Sequence, residues 1–194
     1  IVSGGQIMNP STEDFIRGFD TLNAENIIVF PNNGNIILAA RQSAKIYTES
    51  NVHVVETKSL AQGFAALTML DLNGEPEEII EDLKPIIENV TTGLITYSIR
   101  DTDIDGLHIK KDDFIGLCNN KIVAAHRRRY DAVKALLKVA ITDEKEIITI
   151  IHGEGVTQKE VNELVKHIER NYSNLEIDVI EGNQEVYSYI LAIE

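Results

Sequence analysis

The stretch Ile27-Ile28-Val29-Phe30-Pro31-Asn32-Asn33-Gly34-Asn35, together with the helical pattern after it, decides the fold class. Its first four residues form a continuous apolar run, which predicts a short buried strand. The next five combine proline, asparagine and glycine, the residues that favour turns. Apolar positions at helical spacing then run from Ile36 to Tyr47. The stretch therefore predicts a strand, a loop and a helix in that order.

The same order precedes this stretch. A strand stub at Ile1-Val2 leads into a polar loop that runs from Gly4 to Thr12. A helix comes next, which Ser11 or Thr12 can cap, and Glu13 and Asp14 suit the positive end of its dipole. This segment predicts a second strand–loop–helix unit.

A third unit comes downstream. Val52–Val55 predicts a strand, and Thr57-Lys58-Ser59 opens a helix that reaches Leu70. Strands that alternate with helices in this way favour a parallel sheet with crossover helices. The first part of the chain is therefore predicted to be a small parallel α/β lobe.

Ligands of such open sheets bind beyond the carboxyl ends of the strands, where the three polar loops converge. Their side chains could together hydrogen-bond a carboxylate or a peptide. For each residue taken alone, a helix cap or a turn is the better explanation of the polar side chain. The candidate binding residues at this rim are Asn9, Ser11, Thr12, Asn32, Asn33, Lys58 and Ser59.

The pattern changes after residue 75. Pro76 to Val90 predicts a helix with an acidic, solvated face, and short segments from Ile95 to Ala125 predict an antiparallel meander. A helix, a strand, a second helix and two strands complete the chain. We predict an α/β protein of two lobes: a parallel lobe in residues 1–75 and, in residues 76–194, an α/β sandwich with a mixed or antiparallel sheet.

The composition argues against two classes of function, nucleic-acid binding and membrane insertion. The net charge of −13 and pI near 4.8 argue against a nucleic-acid partner, which requires a basic surface. The longest apolar runs have the length of strands, so no membrane insertion is expected. The single cysteine, Cys118, fits a reducing cytoplasm and is interpreted as a structural residue. The first residue is not methionine, and we expect a domain taken from a longer chain.

Motifs that carry catalysis are absent from the sequence. Neither G-x-x-x-x-G-K-[ST] nor G-x-G-x-x-G occurs, there is no G-x-S-x-G elbow, and the five histidines have no zinc-ligand spacing. Asp101–Gly106 resembles part of a calcium loop but lacks its downstream glutamate, so an acidic hairpin turn is preferred. We therefore predict no catalytic residues, metal site or cofactor in this chain.

One basic cluster stands out in this acidic chain: Arg127, Arg128 and Arg129, preceded by His126. The simpler interpretation is a solvated turn before a helix. The alternative is a contact for a partner's carboxylates or a nucleotide phosphate, because guanidinium groups bind oxyanions through two hydrogen bonds. The three arginines are therefore kept as candidate partner-binding residues.

Several segments carry a family resemblance. The chain resembles the C-terminal domain of the ATP-binding subunit of bacterial fatty acid kinase, within the dihydroxyacetone-kinase-like family. The domain is also similar to DegV-type carriers, which implies a DegV-like fold of two lobes. The segments that carry the resemblance are Gly4–Asp14, Phe30–Ile36, Thr57–Gly63, Tyr97–Asp101, Asp113–Gly116 and Gly182–Tyr187.

The resemblance implies a division of labour in the cytoplasm. The kinase site, with ATP and Mg²⁺, would lie in an N-terminal domain that is not part of this chain. A DegV-type fatty-acid-binding protein would present the fatty acid for phosphorylation, and this domain would dock that carrier. The acyl phosphate produced would supply phospholipid synthesis. The full-length subunit is expected to be able to form a homodimer.

The sequence differs from the DegV-type carriers in three segments. Counting back from Pro10, the hydroxyl residues of their T-S-Q-P-S loop fall on Ile7 and Met8, which carry no hydroxyl. Their Ser-Gly-rich second loop is replaced by Pro31–Asn35, and their G-T-H-T-G segment has no counterpart near Gly182–Tyr189. A carboxylate without these donors binds weakly. We therefore predict a carrier-like fold without lipid binding; the alternative is a fatty-acid-binding module in its own right.

Overall fold

The computed structural model describes residues 9–104 and 106–194. The chain divides into two compact units, the first ending at Glu88 and the second running from Asn89 to Glu194. The expected strand stub at Ile1-Val2, and the loop positions Ile7 and Met8, lie outside the described residues.

The described part of the first unit alternates helices with parallel strands. Its elements are α1 (Thr12–Asp20), β1 (Asn26–Val29), a 3-10 turn (Gly34–Ile36), α2 (Ile37–Ile46), β2 (Asn51–Val54), α3 (Leu60–Thr68) and α4 (Pro76–Asn89). β1 and β2 pair in parallel, with Asn26 opposite Asn51 and Val29 opposite Val54. The predicted parallel pairing of these strands is confirmed.

The two strands separate two apolar clusters. On one face, Ile27 packs with Phe19 of α1, in a cluster that α2 also joins. On the other face, Ile28 packs against a cluster that includes Ala66 of α3 and Leu83 of α4. Successive strand residues point to opposite faces, so a strand covered on both sides needs the continuous apolar run seen in the sequence.

Helix α4 belongs with the first unit. Its buried residues Ile79, Leu83 and Ile87 cluster with Val55 and Ala66. The sequence boundary after residue 75 put this helix in the second lobe, whereas the structure divides the chain after Glu88. The reason is physical: the spacing of four residues reveals an apolar stripe, but not the surface that the stripe covers.

The second unit is built on a larger sheet. Its elements are β3 (Thr91–Tyr97), β4 (Thr102–Ile104), β5 (Leu107–Ile109), β6 (Phe114–Cys118), β7 (Lys121–His126), α5 (Arg129–Ala140), β8 (Ile147–His152), α6 (Gln158–Asn171), β9 (Glu176–Glu181) and β10 (Tyr189–Ile193). Six of these strands form one sheet in the order β7-β6-β3-β10-β8-β9. β8 and β9 are parallel and the other pairs are antiparallel, which confirms the predicted mixed sheet.

The predicted meander differs from the structure in one respect. β4 and β5 pair only with each other as a separate hairpin among the described strands, so β3 pairs directly with β6. Alternating apolar residues identify strands, but they do not specify which strands pair.

The core of the second unit lies between the six-stranded sheet and the helices α5 and α6. Ile95, Ile148 and Leu191 of the sheet cluster with Leu136 of α5 and Leu164 of α6, all of them fully or almost fully buried. Cys118 packs at the margin of this cluster, and burial raises the pKa of its thiol. A raised pKa reduces the reactive thiolate, in keeping with a structural role.

No helix in the described ranges is both long and apolar enough to cross a membrane.

Candidate functional site

The first rim loop ends in a helix cap. The Ser11 hydroxyl accepts a hydrogen bond from the Asp14 amide at 3.2 Å, and the Ser11 amide donates to the Asp14 carboxylate at 2.8 Å. The bond from the Ser11 amide, a 2.8 Å bond from the Ser11 hydroxyl to the same carboxylate and the neighbouring Arg17 lower the pKa of Asp14 to about 2. The Thr12 carbonyl accepts a 3.3 Å bond from Ser43 of α2, and Asn9 is exposed. The Ser11 side chain therefore serves the helix terminus, as the capping pattern predicts.

The second and third rim loops are tied together by Asn32 and Thr57. The Asn32 amide donates to the Thr57 hydroxyl at 2.9 Å, and that hydroxyl donates to the Asn32 side-chain oxygen at 2.9 Å. Thr57 is fully buried, and Asn32 adopts a left-handed backbone with φ of 60°. Asparagine tolerates this conformation better than most residues. The sequence pattern identifies Asn32 as a candidate but not Thr57, whose partner lies 25 positions away.

Gly63 allows α3 to approach this pair. A Cβ at position 63 would lie 1.7 Å from the side-chain oxygen of Asn32. Since real carbon atoms do not come so close to an oxygen, any larger residue must displace Asn32 or the helix. The site is therefore closely packed as well as hydrogen-bonded.

The remaining polar side chains of these two loops also cap or brace backbone. Asn33 accepts a 2.9 Å bond from the Asn35 amide, and Ser59 accepts a 3.1 Å bond from the Gln62 amide at the start of α3. The Lys58 amide donates to the Gln62 side chain at 2.7 Å, and Gln62 donates in turn to the carbonyl of Ile87 in α4. Asn33 and Lys58 are exposed.

The structure thus brings Asn32 next to Thr57 and places Ser59 two residues further on. The bond between Ser43 and Thr12 ties the first loop to α2. Ser11, Asn33 and Ser59 use their side-chain oxygens as acceptors for helix amides. Chemically, this rim is a set of helix caps, and binding by its residues stays a prediction.

The three arginines of the basic cluster diverge, and each contacts a different carboxylate. Nε of Arg127 lies 3.1 Å from Oδ1 of Asp113, and Nε of Arg128 lies 3.6 Å from Oδ2 of Asp131. Both guanidinium groups are largely exposed. The structure therefore does not gather the cluster around one anion, although the exposed Arg127 and Arg128 remain accessible to a partner.

Arg129 is the most buried of the three. Its guanidinium donates to Glu160 at 2.7 Å and to the carbonyl of Gly155 at 3.2 Å, and it lies 5.1 Å from the ring centre of Phe114. Burial raises the pKa of Glu160, but hydrogen bonds from Thr157 and the charge of Arg129 outweigh it and leave that pKa below its ordinary value. Arg129 therefore links the starts of α5 and α6.

A small cavity of about 20 Å³ lies beside Arg129, lined in part by Tyr130, Glu163 and Tyr189. Such a volume holds about one water molecule. Burial and the nearby Glu160 raise the pKa of Tyr189 to about 12, so its hydroxyl stays protonated at neutral pH. The cavity is too small for an acyl chain.

The acidic run at residues 101–106 includes β4, which pairs with β5, and Gly106 precedes β5 with a φ of 81°. Asp103 pairs with His108 across the two strands. Asp105 lies outside the described residues. Among the residues that the structure does describe, no three His, Cys, Asp or Glu side chains are grouped to hold a metal. The antiparallel pairing of β4 with β5 is the hairpin that the sequence predicted.

The fold is that of the DegV-like lipid-binding proteins. A fatty acid kinase (Fak) B3 protein of Streptococcus pneumoniae, loaded with linoleic acid, superimposes with a TM-score of 0.67 at 15% identity, over 95% of this chain and 75% of its own. A DegV lipid-binding protein of Thermotoga maritima gives a TM-score of 0.66 at 17% identity, over 96% and 76%. At these identities the likeness shows a shared fold, and the predicted DegV-like fold is confirmed.

The family follows from the sequence comparison. A family model for the FakA-like C-terminal region of fatty acid kinase matches residues 1–194, and the chain belongs to this family. Protein YloV of Bacillus subtilis is 38% identical over all 194 residues, and an uncharacterized protein of Staphylococcus epidermidis is 40% identical. The chain spans 35% of the length of these relatives. The resemblance found in the sequence is confirmed.

Proposed function

We propose that this chain is the non-catalytic docking domain of a fatty acid kinase subunit. It binds a DegV-type carrier loaded with a fatty acid, and a separate N-terminal domain transfers phosphate from ATP to the fatty acid carboxylate. In this proposal the subunit works in the cytoplasm, and ATP and Mg²⁺ bind outside this chain. The carrier is a protein, in keeping with a net charge of −13 that disfavours nucleic acid.

The family supports the division of labour. The matching family is the C-terminal part of a kinase subunit, and the curated relatives have room for other domains because this chain spans 35% of their length. The sequence of this chain contains neither G-x-x-x-x-G-K-[ST] nor G-x-G-x-x-G, two loops with which kinases hold the phosphates of ATP. Phosphoryl transfer is therefore assigned to the rest of the subunit.

The observation that carries the proposal is that polar side chains of the rim already form hydrogen bonds within the chain. Ser11, Asn33 and Ser59 accept hydrogen bonds from helix amides, and the Thr57 hydroxyl bridges to Asn32. A carboxylate ligand would have to compete with these internal bonds, and breaking a buried one costs about 1–3 kcal/mol. The fold of a carrier is thus combined with loops whose polar groups are already engaged.

The alternative is a lipid-binding module, favoured by the fold that the chain shares with lipid-binding proteins. The solved structures include a linoleic acid complex and a DegV lipid-binding protein. In this alternative, an acyl chain occupies the domain itself, and Lys58 or the basic cluster faces its carboxylate.

One preparation separates the two functions. The purified 194-residue chain is denatured and examined by mass spectrometry for fatty acid, titrated with a DegV-type carrier from the same bacterium by calorimetry, and assayed for ATP hydrolysis. The docking function predicts carrier binding, no retained lipid and no ATP turnover. A stoichiometric fatty acid would favour the lipid-binding module, and ATP turnover by this chain would contradict the non-catalytic role.

A further inference from the structure

Helix α3 is packed in an unusual way. It buries its small residues Ala61, Gly63, Ala65 and Ala66. Its large apolar residues lie on the other side: Leu60 is 44% exposed, Leu67 is 58% exposed, and Phe64 between them is half-buried. Most surface helices of globular proteins bury their large apolar side chains and expose polar ones. The composition of α3 is that of a helix covered on all sides.

The exposed residues form one continuous stripe. Leu60, Phe64 and Leu67 are spaced four and three residues apart, so they lie on one face of the helix over about 10 Å. Two more exposed apolar residues follow the stripe in the chain, at the end of the helix and in the connection after it: Met69 is 63% exposed and Leu72 is 79% exposed. We call these five residues the α3 face.

Exposure of the α3 face has a thermodynamic cost. Burial of apolar surface contributes about 25 cal/mol per Å², and a contiguous apolar patch on a soluble protein commonly marks a binding surface. Leu70, between Met69 and Leu72, packs inward against the cluster around Leu83. The connection therefore has an anchored side chain of its own, and the α3 face is not simply unfolded chain.

The segment from the end of α3 into α4 is acidic, whereas the exposed Lys58 lies two residues before Leu60. From residue 67 to residue 83 the chain contains six acidic residues and no lysine or arginine; the acidic residues are Asp71, Glu75, Glu77, Glu78, Glu81 and Asp82. They occupy the connection and the first turns of α4, and all are exposed. Residues 1–88 as a whole contain thirteen acidic and five basic residues. An apolar centre with an acidic margin complements a surface of opposite charge.

We infer that the α3 face docks a protein partner whose contact surface is apolar at its centre and basic at its margin. The inference rests on the proposed function, which makes this partner the fatty-acid carrier. Phe64 supplies an aromatic contact flanked by leucines, and aromatic residues are enriched at the centres of protein interfaces. The acidic residues of α4 orient the encounter.

The first experiment removes the apolar surface. Leu67→Ser combined with Leu72→Ser should weaken carrier binding at least tenfold, roughly the loss typical of central interface residues. The matched control is Leu38→Ser combined with Ile46→Ser. These two residues are 67% and 60% exposed and belong to α2, on the opposite face of the β1–β2 sheet. Calorimetry measures each dissociation constant, and circular dichroism checks that each variant is folded.

The second experiment reverses a charge. Glu78→Lys should slow association and flatten its dependence on salt, because it removes attraction at the margin. Glu13→Lys is the control: both glutamates are exposed and lie in the first turn of a helix of the first unit. Both reversals place a cation in the first turn of a helix, so a difference in association rate reports the interface. Stopped-flow mixing measures that rate.

The outcomes separate the inference from the proposed function. If the unaltered chain does not bind the carrier, the docking function fails and the inference fails with it. If the unaltered chain binds, and the Leu67/Leu72 variant binds equally well, docking stands but takes place elsewhere. If light scattering shows that this variant only loses self-association, the α3 face joins two copies of the chain and the inference is overturned.

Discussion

Thr57 is a buried hydroxyl that connects two loops. It accepts from the Asn32 amide and donates to the Asn32 side chain, both at 2.9 Å. A single side chain thereby fixes the left-handed turn at Asn32 in relation to the start of α3.

We predict that Thr57→Val destabilises the chain by about 1–3 kcal/mol. Valine keeps the shape of threonine but leaves the Asn32 amide without its acceptor, and an unsatisfied partner has that cost. Urea unfolding measures the change. Thr57→Ser, which keeps the hydroxyl, should lose less; a valine variant as stable as the parent would show that water replaces the bond.

Gly63 provides a second test at the residue scale. Alanine favours a helix over glycine by about 1 kcal/mol, yet we expect Gly63→Ala to be destabilising. The new methyl group would lie 1.7 Å from the Asn32 side-chain oxygen, and overpacking costs about 1–3 kcal/mol.

A double-mutant cycle locates the cause. Asn32→Gly suits the left-handed backbone and removes the clashing oxygen. In its presence, Gly63→Ala should become neutral or stabilising in the same urea measurement. An equal loss in both backgrounds would show that the clash lies elsewhere.

At the scale of elements, His167 of α6 is a titratable side chain that packs against Tyr130 of α5. The ring of His167 lies 5.9 Å from that of Tyr130, centre to centre. Burial, and then the charges of Lys134 and Lys138, lower the pKa of His167 below its ordinary value.

The sign of the pH dependence is set by this lowered pKa. The unfolded chain takes up the proton near pH 6.5, whereas the folded chain takes it up only at lower pH. The unfolded state therefore binds more protons in this window, and stability falls as pH drops from about 6.5 through the folded pKa. His167→Gln should flatten this part of a stability–pH curve measured by urea unfolding, and an unchanged slope would contradict the assignment.

The Arg129 side chain of α5 contacts Glu160 of α6, the carbonyl of Gly155 in the loop before α6, and the ring of Phe114 in β6. Lysine cannot reproduce a planar group that bonds and stacks at once. Arg129→Lys should therefore lower the free energy of unfolding by about 1 kcal/mol or more. Arg128→Lys, at a largely exposed pair 3.6 Å apart, should change it by less than about 0.5 kcal/mol; equal effects would contradict the difference.

The elements were largely predictable because their signals are local. The apolar run of β1 and the capping serines at 11 and 59 mark their elements within a few residues. The side to which α4 packs, and the pairing of β3 with β6 past the β4–β5 hairpin, depend on distant partners. The bond between Thr57 and Asn32 was hidden for the same reason, since it depends on the register of two parallel strands.

At the scale of the whole molecule, two units with their own cores carry different charge. Residues 1–88 hold a net charge of −8 out of the −13 of the chain, and they include the α3 face. We predict that raising ionic strength from about 0.05 M to about 0.5 M slows carrier association far more than it changes dissociation, because screening acts on the encounter. Stopped-flow kinetics at several salt concentrations test this; a salt-independent association rate would contradict electrostatic guidance.

The close approach of Gly63 to Asn32 also limits how the sequence can diverge. A methyl group at position 63 and an amide at position 32 exclude each other in this backbone. We therefore expect the two positions to change together in evolution: homologues that keep asparagine at 32 should keep glycine at 63, and those with alanine or serine at 63 should have lost the asparagine. An alignment of homologues should therefore show covariation between positions 32 and 63, which are 31 residues apart and in contact in the fold.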